Sequence, residues 1–459
     1  MSMKALIIAA GEGRRLGHLT ETAPKPLIRL LGLSLIERVI LTAKQAGIKG
    51  FVVVIGYHGD EIRAKLGDGS EWGVKIAYVE NDEWRKGNGV SVLKSRDHFD
   101  EAFVLLMSDH IFDPRILREL VHCDRISSVV LVVDRGAPLS GDTKVLEQNG
   151  QIVSIGKGIR NANCIDTGIF LCSPKVFSYL EEAVKEGHAE LSDGIARAAS
   201  NHDAEVFDIT QIETYASKMR KSIAPWWIDV DTEEDLRRAK ETIIENASKN
   251  PSDALACYVH KPIENRLVAL ISDFNVSPNQ VTIIVNVLAY TVTGLFLSGH
   301  LLAGSILSFV VGIADGLDGK LARVTLKTSK LGSLEHSFDL LFEFSWFIAL
   351  SLYLFASART STPLILTTFI ILFIAFYRSI YDRFGRAAGR SLDDYGSFER
   401  IFRRVAGRRN LYNIPILICI LLGVAQYALA FVAGHAAITA IVYAWRAMKH
   451  LSELDRQGG

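Results

Sequence analysis

Residues 4–17, KALIIAAGEGRRLG, decide the fold of the first half of the chain. The apolar run at residues 5–10 predicts a buried strand, and the loop after it carries two glycines and two arginines. Glycines let backbone N–H groups approach a phosphate, and arginines supply positive charge. The loop lacks the third glycine of the dinucleotide pattern GxGxxG. It therefore predicts a phosphate site, or alternatively a simple strand-to-helix turn.

Apolar runs and helical patterns alternate from this strand up to about residue 250. Further buried strands are predicted at residues 51–55, 103–107 and 128–133. Helical patterns cover residues 35–45, 114–121 and 233–244. This alternation is typical of a parallel sheet with helices on both faces. The first half is therefore predicted to be a doubly wound α/β domain.

One lysine and two acids follow these predicted strands. Lys25 lies between two prolines, which makes it a preorganised charge for a phosphate. Asp109 and Asp229 each end an apolar run, where open α/β sheets bind ligands. Two carboxylates suit Mg²⁺, which also takes phosphate oxygens of a nucleotide. These residues predict attack of a phosphate oxygen on an α-phosphorus with loss of pyrophosphate. The segment from Thr232 resembles the capped start of the last helix, so Asp231 and the acids after it are predicted to be structural.

The segments AAGEGRRLG, KPL, SDH and WIDVDTEEDL together resemble the sugar nucleotidyltransferase superfamily over nearly all of residues 3–245. The resemblance implies that the nucleotide is held by Gly11, Gly13, Arg14 and Lys25, with Arg14 and Lys25 catalytic. It also implies that Asp109 and Asp229 bind Mg²⁺. The segment ENDEWRKGNGVS, residues 80–91, is similar to the inositol-1-phosphate cytidylyltransferase branch. Lys144 and Lys157 are either sugar-phosphate ligands or ordinary surface lysines.

The second half of the chain is predominantly apolar. Six stretches approach the roughly 20 residues of a membrane helix; they lie near 281–298, 300–320, 337–356, 363–377, 413–432 and 434–446. Residues 378–409 hold nine arginines against four acids, whereas the predicted loops 298–300 and 434–435 carry no Lys or Arg. The positive-inside rule then places both termini and the first domain in the cytoplasm. The sequence predicts a multi-pass protein of the cell membrane.

Three regions follow from these patterns. Residues 1–250 form the predicted soluble domain, 251–280 a linker with an amphipathic helix along the membrane surface at 261–274, and 281–459 the all-α membrane domain. The arginine-rich loop either holds an anionic acceptor or contacts anionic lipid headgroups. Arg378, Arg383 and Arg386 are the best placed for an acceptor.

Two acids lie at the end of the second predicted span, in ADGLDGKLAR at residues 314–323. Asp315 and Asp318 are three residues apart and share a helix face. Ionisable groups in a membrane span are costly and mark polar cavities or pathways. Helix-end charges that reach the surface explain Lys320 and Arg323 but not a pair of aspartates.

The pattern DxxDGxxARx8G in this segment resembles the first part of the CDP-alcohol phosphotransferase signature. Its six positions are Asp315, Asp318, Gly319, Ala322, Arg323 and Gly332. The resemblance implies that the two acids bind the metal and that the other four positions help to hold the CDP diphosphate. Two further acids are expected four and eight residues after the glycine, one completing the metal site and one deprotonating the acceptor.

The chain departs from the signature at those two acids. The strict spacing falls on His336 and Leu340, and a leucine cannot accept a proton. Glu335 and Asp339 keep the mutual spacing of four but lie one residue early, which turns a side chain by roughly 100° on a regular helix. We expect Glu335 as a metal ligand and Asp339 as the general base, with His336 as an alternative and Glu343 one turn further.

The two resemblances together predict one bifunctional enzyme. It resembles inositol-1-phosphate cytidylyltransferase/di-myo-inositol phosphate phosphate synthases, which implies CTP, inositol-1-phosphate and CDP-inositol as substrates, and a homodimer. The alternatives are a CDP-lipid-using synthase fused to an unrelated nucleotidyltransferase, and a cytidylyltransferase with a non-catalytic membrane anchor. The 51 basic and 51 acidic side chains argue against a nucleic-acid partner. The five scattered cysteines suggest neither a disulfide framework nor a zinc site.

Overall fold

A computed structural model describes residues 3–20, 23–123, 127–136, 143–212, 224–248, 255–274, 276–328 and 335–457. The chain divides into two compact units, and the boundary between Thr242 and Ile243 falls inside one long helix. The first unit is an α/β domain and the second is helical. The predicted limits of the linker at residues 251 and 280 stay a prediction.

The first unit is built on a nine-stranded sheet. The described residues form thirteen strands, nine in this sheet and two in each of two small ladders. They are β1 Lys4–Ala9, β2 Arg29–Leu30, β3 Leu33–Ser34, β4 Gly50–Ile55, β5 Lys75–Glu80, β6 Phe103–Met107, β7 His110–Phe112, β8 Val129–Asp134, β9 Lys144–Gln148, β10 Gln151–Gly156, β11 Cys164–Cys172, β12 Ala204–Asp208 and β13 Trp227–Asp229. Its helices are α1 Leu35–Gln45, α2 Gly59–Leu66, α3 Asn88–Lys94, α4 Pro114–Leu120, α5 Val176–Lys185, α6 Leu191–Ser200 and α7 Glu233–Ala247. The strands and helices predicted from apolar runs are therefore present.

The sheet is mixed, so the prediction of an all-parallel sheet is wrong. The strand order is β5-β4-β1-β6-β11-β8-β12-β10-β9, and β11 runs antiparallel to both β6 and β8. A parallel neighbour needs a crossover connection, usually a helix. Strands β9 and β10 are also antiparallel, and they are joined by a tight turn in which Asn149 and Gly150 both have positive φ. An Asn-Gly pair between apolar runs is a hairpin signal.

A two-stranded ladder outside the main sheet brings the two predicted acids of the first domain together. Strand β7 leaves the end of β6 immediately after Asp109, and β13 pairs with it so that Asp229 is opposite His110. The backbone N–H of Val230 donates to the carbonyl of Asp109 at 3.2 Å. The carboxyl end of the buried strand β6 is therefore fixed to the carboxyl end of β13.

The second unit consists of helices. They are α8 Lys261–Ile271, α9 Pro278–Leu297, α10 Leu301–Ala314, α11 Leu317–Val324, α12 Glu335–Ala358, α13 Thr362–Ala388, α14 Ser397–Val405, α15 Arg409–Leu421 and α16 Ala428–Gln457. Helix α8 covers most of the segment predicted to be an amphipathic helix. Helix α9 begins with a capping box, in which Ser277 Oγ accepts from the Gln280 backbone N–H at 3.2 Å.

Five helical segments in the described part of the chain are long and apolar enough to cross a membrane. They span Pro278–Leu297, Leu301–Val324, Ser337–Ala358, Thr362–Ala388 and Ala425–Arg456. The apolar helix Arg409–Leu421 is shorter than a full span. The domain is therefore a helical membrane domain, and a sixth crossing stays a prediction.

The predicted boundary between the last two spans is wrong. Gly434 and His435, predicted as a loop, lie inside α16. The break comes earlier, where Gly423 has φ of +72° just after α15. Glycine ends a helix when it adopts this left-handed conformation, whereas a glycine with helical φ is tolerated inside an apolar helix.

Candidate active sites

Lys25 forms the centre of the site in the first domain. Its backbone begins a short 3₁₀ turn between Pro24 and Pro26, and its side chain is buried. The Nζ atom is 2.6 Å from Asp109 Oδ2 and 2.7 Å from Asp231 Oδ1. Burial disfavours the charged ammonium, but the nearby carboxylates of Asp109 and Asp229 outweigh burial and raise the pKa of Lys25. The lysine is therefore a fixed positive charge at the end of β6.

Asp231 was predicted to be structural, just before the capped start of the last helix, and the structure shows what it contacts. Its carboxylate contacts Lys25, whereas the cap is formed by the next residues: Thr232 Oγ1 accepts from the Asp235 backbone N–H at 3.2 Å. Asp231 follows Asp229 at a spacing of two on an extended segment. The last residue of β13 and a residue just after the strand thus place two carboxylates at the same site.

Gly13 shapes the loop around the lysine. It has φ of +66°, and a Cβ at this position would collide with Cβ of Lys25 and lie 2.8 Å from its Cδ. Glycine is favoured where φ is positive, and here the missing side chain also leaves space for the lysine stem. Gly11 has no such restriction, since a Cβ there would meet nothing within 4 Å.

The pair Gly13→Ala and Gly11→Ala tests this packing. We expect Gly13→Ala to destabilise the domain by about 1–3 kcal/mol, because it adds backbone strain and displaces Lys25. Gly11→Ala should leave stability unchanged. Hydrogen exchange of the β1 amides in the full chain measures the difference. Equal protection in the two variants would contradict the packing argument.

Asp109, His110 and Asp229 form a cluster whose ligand atoms all lie within 4.8 Å of one another. His110 Nδ1 is 2.9 Å from Asp109 Oδ1 and 3.7 Å from Asp229 Oδ1. Asp229 Oδ1 is buried and has no hydrogen-bond partner among the described residues. A buried carboxylate oxygen without a donor is costly unless a cation binds it. The donor set therefore fits a divalent metal, with oxygen ligands from Asp109 and Asp229.

The electrostatics of the two acids differ. Burial raises the pKa of Asp229 to about 6, and the adjacent Asp109 carboxylate adds to the effect. Burial would also raise the pKa of Asp109, but Lys25 and His110 hold that pKa well below its usual range. Burial lowers the pKa of His110, yet Asp229 and Asp109 outweigh it and raise the pKa to about 9. The site therefore joins negative carboxylates to two cationic side chains.

His110 is held in place by residues that the sequence analysis did not single out. Its ring is stacked on Trp227 with centroids 6.1 Å apart. Gly168, with φ of +72°, approaches so closely that a Cβ there would lie 2.7 Å from His110 Nε2. The glycine in the apolar strand CIDTGIFLC was a signal for close approach. Only the fold shows which residue approaches it.

The other predicted residues of this domain are more loosely defined. The backbone of Arg14 begins a 3₁₀ segment at Arg14–Thr20, but its side chain is not among those described. Lys144 begins β9, and Lys157 is exposed just after β10. The structure brings together Lys25, Asp109 and Asp229, with Gly13 packed against the lysine, and adds Asp231 and His110 to them.

The second site lies where α10 ends. Asp315 follows α10 directly, and its Oδ2 is 2.5 Å from Arg409 Nη2. The carboxyl groups of Asp315 and Asp339 are also close enough to interact directly. Asp339, which lies one residue before the position that the signature specifies, therefore reaches Asp315, the first acid of the signature. Leu340, at the strict spacing, has no group that could do so.

Asp318 lies three residues after Asp315, in the first turn of α11, and is buried. Its Oδ2 accepts from Thr282 Oγ1 of α9 at 2.5 Å, and its Oδ1 accepts from the Gly319 N–H at 2.6 Å. The predicted common helix face is interrupted, because a turn at residues 315–316 separates α10 from α11. Both aspartates nevertheless remain at the same helix junction.

Helix α12 contributes a line of acids at a spacing of four. Asp339 is followed by Glu343, which is 1% exposed and whose Oε2 is 2.5 Å from Arg378 Nη2 of α13. The other oxygen, Oε1, is buried without a hydrogen-bond partner among the described residues. Side chains four apart lie on one helix face. Acids and arginines are thus buried together in this apolar domain, an arrangement typical of a functional site.

Arg409 is the residue that the sequence analysis missed. It was counted only as one of nine arginines in a loop, but it begins α15 and its guanidinium lies 4.7 Å from the Phe342 ring centroid. Its Nε is buried without a partner among the described residues. Charge counting could not separate it from Arg383 and Arg386, which are exposed.

The remaining signature positions are placed as follows. Arg323 Nε donates to the Ala247 carbonyl at 2.6 Å, and Ala322 is partly buried in α11. Gly332 lies outside the described residues. Glu335 and His336 begin α12, but their side chains are not described. The geometry therefore supports Asp339, and says nothing about Glu335 or His336.

The second site also offers carboxylate oxygens, although the group of three close ligand residues found among the described residues is that of the first domain. Two carboxyl groups in contact, Asp315 and Asp339, repel each other when both are ionised, and Asp318 lies at the same junction. Hard oxygen donors of this kind suit a divalent cation.

Comparison with known proteins defines the class. Residues 4–246 match the nucleotidyl transferase family, and residues 275–396 match the CDP-alcohol phosphatidyltransferase family. The chain is therefore a membrane enzyme that combines a nucleotidyltransferase domain with a CDP-alcohol phosphotransferase domain. Both resemblances expected from the motifs are confirmed.

Relatives with both domains define the family more closely. The chain is 34% identical to the bifunctional IPC transferase and DIPP synthase of Rubrobacter xylanophilus over 338 residues, 72% of each chain. It is 29% identical to the protein of the same name from Archaeoglobus fulgidus, over 92% of this chain and 78% of the relative. The chain belongs to this family of bifunctional IPC transferases and DIPP synthases. A solved inositol-1-phosphate CTP transferase from T. maritima is 27% identical, with a TM-score of 0.45, over 52% of this chain and 94% of that one.

Proposed function

We propose that the chain transfers CMP from CTP to inositol-1-phosphate, and then transfers inositol phosphate from the resulting CDP-inositol to a second inositol-1-phosphate. The observation that carries the proposal is that each domain buries its own cluster of acids and cations. Lys25 lies between Asp109 and Asp231 in the first domain. Asp315 lies between Arg409 and Asp339 in the second. The names of the relatives support the choice of substrates.

In the first reaction a phosphate oxygen of inositol-1-phosphate attacks the α-phosphorus of CTP. The bond from the α-phosphorus to the bridging oxygen breaks, and pyrophosphate leaves. Lys25 supplies a fixed positive charge to the triphosphate, and its two carboxylate contacts keep it oriented before substrate binds. Arg14 and the backbone of Gly11 and Gly13 would bind the phosphates from the loop after β1.

We assign Asp109 and Asp229 as the residues that would hold Mg²⁺ in this domain. The metal would neutralise charge on the phosphate oxygens and the pyrophosphate leaving group. The unpartnered Asp229 Oδ1 supports this assignment. His110 keeps Asp109 in position through its contact with Oδ1.

In the second reaction a hydroxyl of the acceptor inositol-1-phosphate attacks the inositol-bearing phosphorus of CDP-inositol. The proton of that hydroxyl passes to Asp339 as general base, a new phosphodiester forms, and CMP leaves with the bridging oxygen. Asp315 and Asp318, with Glu335, would hold Mg²⁺. Gly319, Ala322, Arg323 and Gly332 would line the CDP site, as the family resemblance implies.

The arginines of the second domain have distinct proposed roles. Arg409 holds Asp315 at 2.5 Å and has a buried Nε without a partner among the described residues, so it is placed to bind a phosphate oxygen. Arg378 pairs with the buried Glu343 and so fixes the position of that side chain.

We further propose how the protein lies in the membrane. Six crossings, with Arg409–Leu421 as a short one, would place both termini and the nucleotidyltransferase domain in the cytoplasm, in agreement with the positive-inside rule. Labelling of Cys257, which is exposed, with a membrane-impermeant thiol reagent in intact and inverted vesicles tests this. A homodimer in the lipid bilayer is proposed from the family resemblance alone.

Phosphorus NMR of detergent-purified protein with CTP, inositol-1-phosphate and Mg²⁺ tests the proposed reactions. We expect pyrophosphate and CDP-inositol first, followed by CMP and a new phosphodiester signal. CDP-inositol that accumulates without CMP would contradict the second reaction. Unchanged CTP would contradict the choice of inositol-1-phosphate, and other phosphorylated alcohols would then be tested.

A further inference from the structure

An apolar groove with a volume of about 650 Å³ lies between α13 and α16. Its lining includes Leu372, Phe373 and Phe376 of α13, and Ala444, Trp445 and Met448 of α16. Leu372, Trp445 and Met448 are each more than half exposed. In a membrane domain such an exposed apolar surface contacts lipid or another protein chain. The groove is distinct from the second active site, whose acids lie on the α10–α12 segment and whose Arg409 lies on α15.

Helix α14 shows where the membrane boundary lies beside this groove. Its apolar side chains Phe398, Ile401 and Val405 are exposed, whereas its charged Glu399 is buried. Glu399 Oε1 is 2.8 Å from His450 Nε2 and also pairs with Arg446, both of α16. Arg404 is exposed beside these apolar side chains, so the outer face of α14 combines apolar residues with a cation and is suited to the membrane interface.

The groove ends at the level of this helix. The guanidinium carbon of Arg446 is 5.1 Å from the Phe398 ring centroid and 5.4 Å from that of Trp445. Trp445 lines the groove and is 56% exposed. Tryptophan is enriched where hydrocarbon meets headgroups. The end of the groove near Trp445 and Met448 therefore lies at the headgroup level.

Each wall of the groove continues into a cation at this end. Arg383 is seven residues after Phe376 on α13, so the two side chains share a helix face. Lys449 is four residues after Trp445 on α16. Both cations are exposed; Arg383 Nε donates to Ser379 Oγ at 3.4 Å, and Lys449 Nζ is 3.8 Å from Glu453. An apolar groove that ends at two basic side chains matches an acyl chain joined to an anionic headgroup.

We propose that the groove between α13 and α16 binds one anionic phospholipid. An acyl chain lies against Phe376, Ala444 and Trp445, and the phosphate lies between Arg383 and Lys449. This inference is independent of the proposed reactions, because it concerns helix faces that carry none of the proposed catalytic acids.

Fluorescence of Trp445 in nanodiscs tests the proposal with the full chain. Phosphatidylglycerol or phosphatidylcholine with brominated acyl chains is added to a phosphatidylcholine bilayer, and the Trp445 signal is the component lost in Trp445→Phe. We expect brominated phosphatidylglycerol to quench it at a mole fraction roughly tenfold lower than brominated phosphatidylcholine, since each basic side chain near the surface strengthens binding several-fold.

Matched variants separate the acyl chain site from the headgroup site. Ala444→Phe fills the groove and should abolish the selective quenching, whereas Ile438→Phe, at an exposed position of α16 outside the lining, should not. Replacement of both Arg383 and Lys449 by alanine should remove the preference for phosphatidylglycerol, and Arg390→Ala should keep it. Equal quenching by both lipids would overturn the proposal. Quenching by neither lipid, together with cysteine crosslinking of two chains at Trp445→Cys, would assign the groove to a second copy instead.

Discussion

Asp339→Asn is expected to reduce release of CMP from CDP-inositol by about 10²–10⁴-fold, the usual contribution of a general base. Asparagine keeps the size of the side chain but cannot take the proton of the attacking hydroxyl. Formation of CDP-inositol from CTP in the same preparation should be unchanged, since Asp339 lies in the second unit. CMP release from supplied CDP-inositol, with inositol-1-phosphate as acceptor, measures the effect.

Two controls make the Asp339 result specific. Asp382→Asn changes an exposed aspartate on α13 and should keep full activity. Leu340→Ala changes the position that the strict signature spacing selects, and it should cost far less than Asp339→Asn. If Asp339→Asn kept wild-type CMP release, the shifted spacing would not be used, and His336 would become the residue to replace.

Asp109→Asn is expected to have the complementary effect. It removes a proposed metal ligand and one of the two carboxylates that hold Lys25 at 2.6–2.7 Å. The rate of pyrophosphate release from CTP should fall on the order of 10²–10³-fold, as when one preorganised electrostatic group is lost. CMP release from supplied CDP-inositol should be unaffected.

The matched control for Asp109 is Asp97→Asn, an exposed aspartate in the same domain. Pyrophosphate release should be unchanged in this variant. A titration with Mg²⁺ adds a second readout: Asp109→Asn should require more metal for half-maximal rate. A variant with normal metal dependence but a low rate would assign Asp109 to positioning of Lys25 alone.

The sequence predicted the acids that end strands, because an apolar run gives the position of a buried strand and therefore the residue that follows its carboxyl end. The run 103–107 places Asp109 at the carboxyl end of β6, and the run before Asp229 does the same for β13. These are local patterns. The contacts of Lys25 with Asp231, and of His110 with Gly168, join residues far apart in sequence, and no periodicity reports them.

The antiparallel pairing of β9 with β10 and the end of α15 show a second limit. Both depend on single turns: Asn149 and Gly150 form the hairpin between β9 and β10, and Gly423 ends a helix while Gly434 does not. Hydropathy does not report this difference, because the φ angle of one residue decides whether the chain turns there. The contact of Arg409 with Asp315 could not be predicted for a related reason, because a charge count does not show which arginine faces an acid.

The shifted acids of the signature are the clearest gain from the structure. Spacing alone left Glu335, His336, Asp339 and Leu340 open, whereas the proximity of Asp315 and Asp339 places Asp339, and not Leu340, at the acid cluster.

The most direct test of two linked active sites is a mixing experiment with the two inactive variants. Asp109→Asn and Asp339→Asn are each incubated with CTP, inositol-1-phosphate and Mg²⁺, separately and together, and the phosphodiester product is followed by phosphorus NMR. We predict little phosphodiester from either variant alone and its formation in the mixture, because CDP-inositol released by the Asp339 variant is used by the Asp109 variant. CDP-inositol that accumulates in the mixture without phosphodiester or CMP would contradict the account.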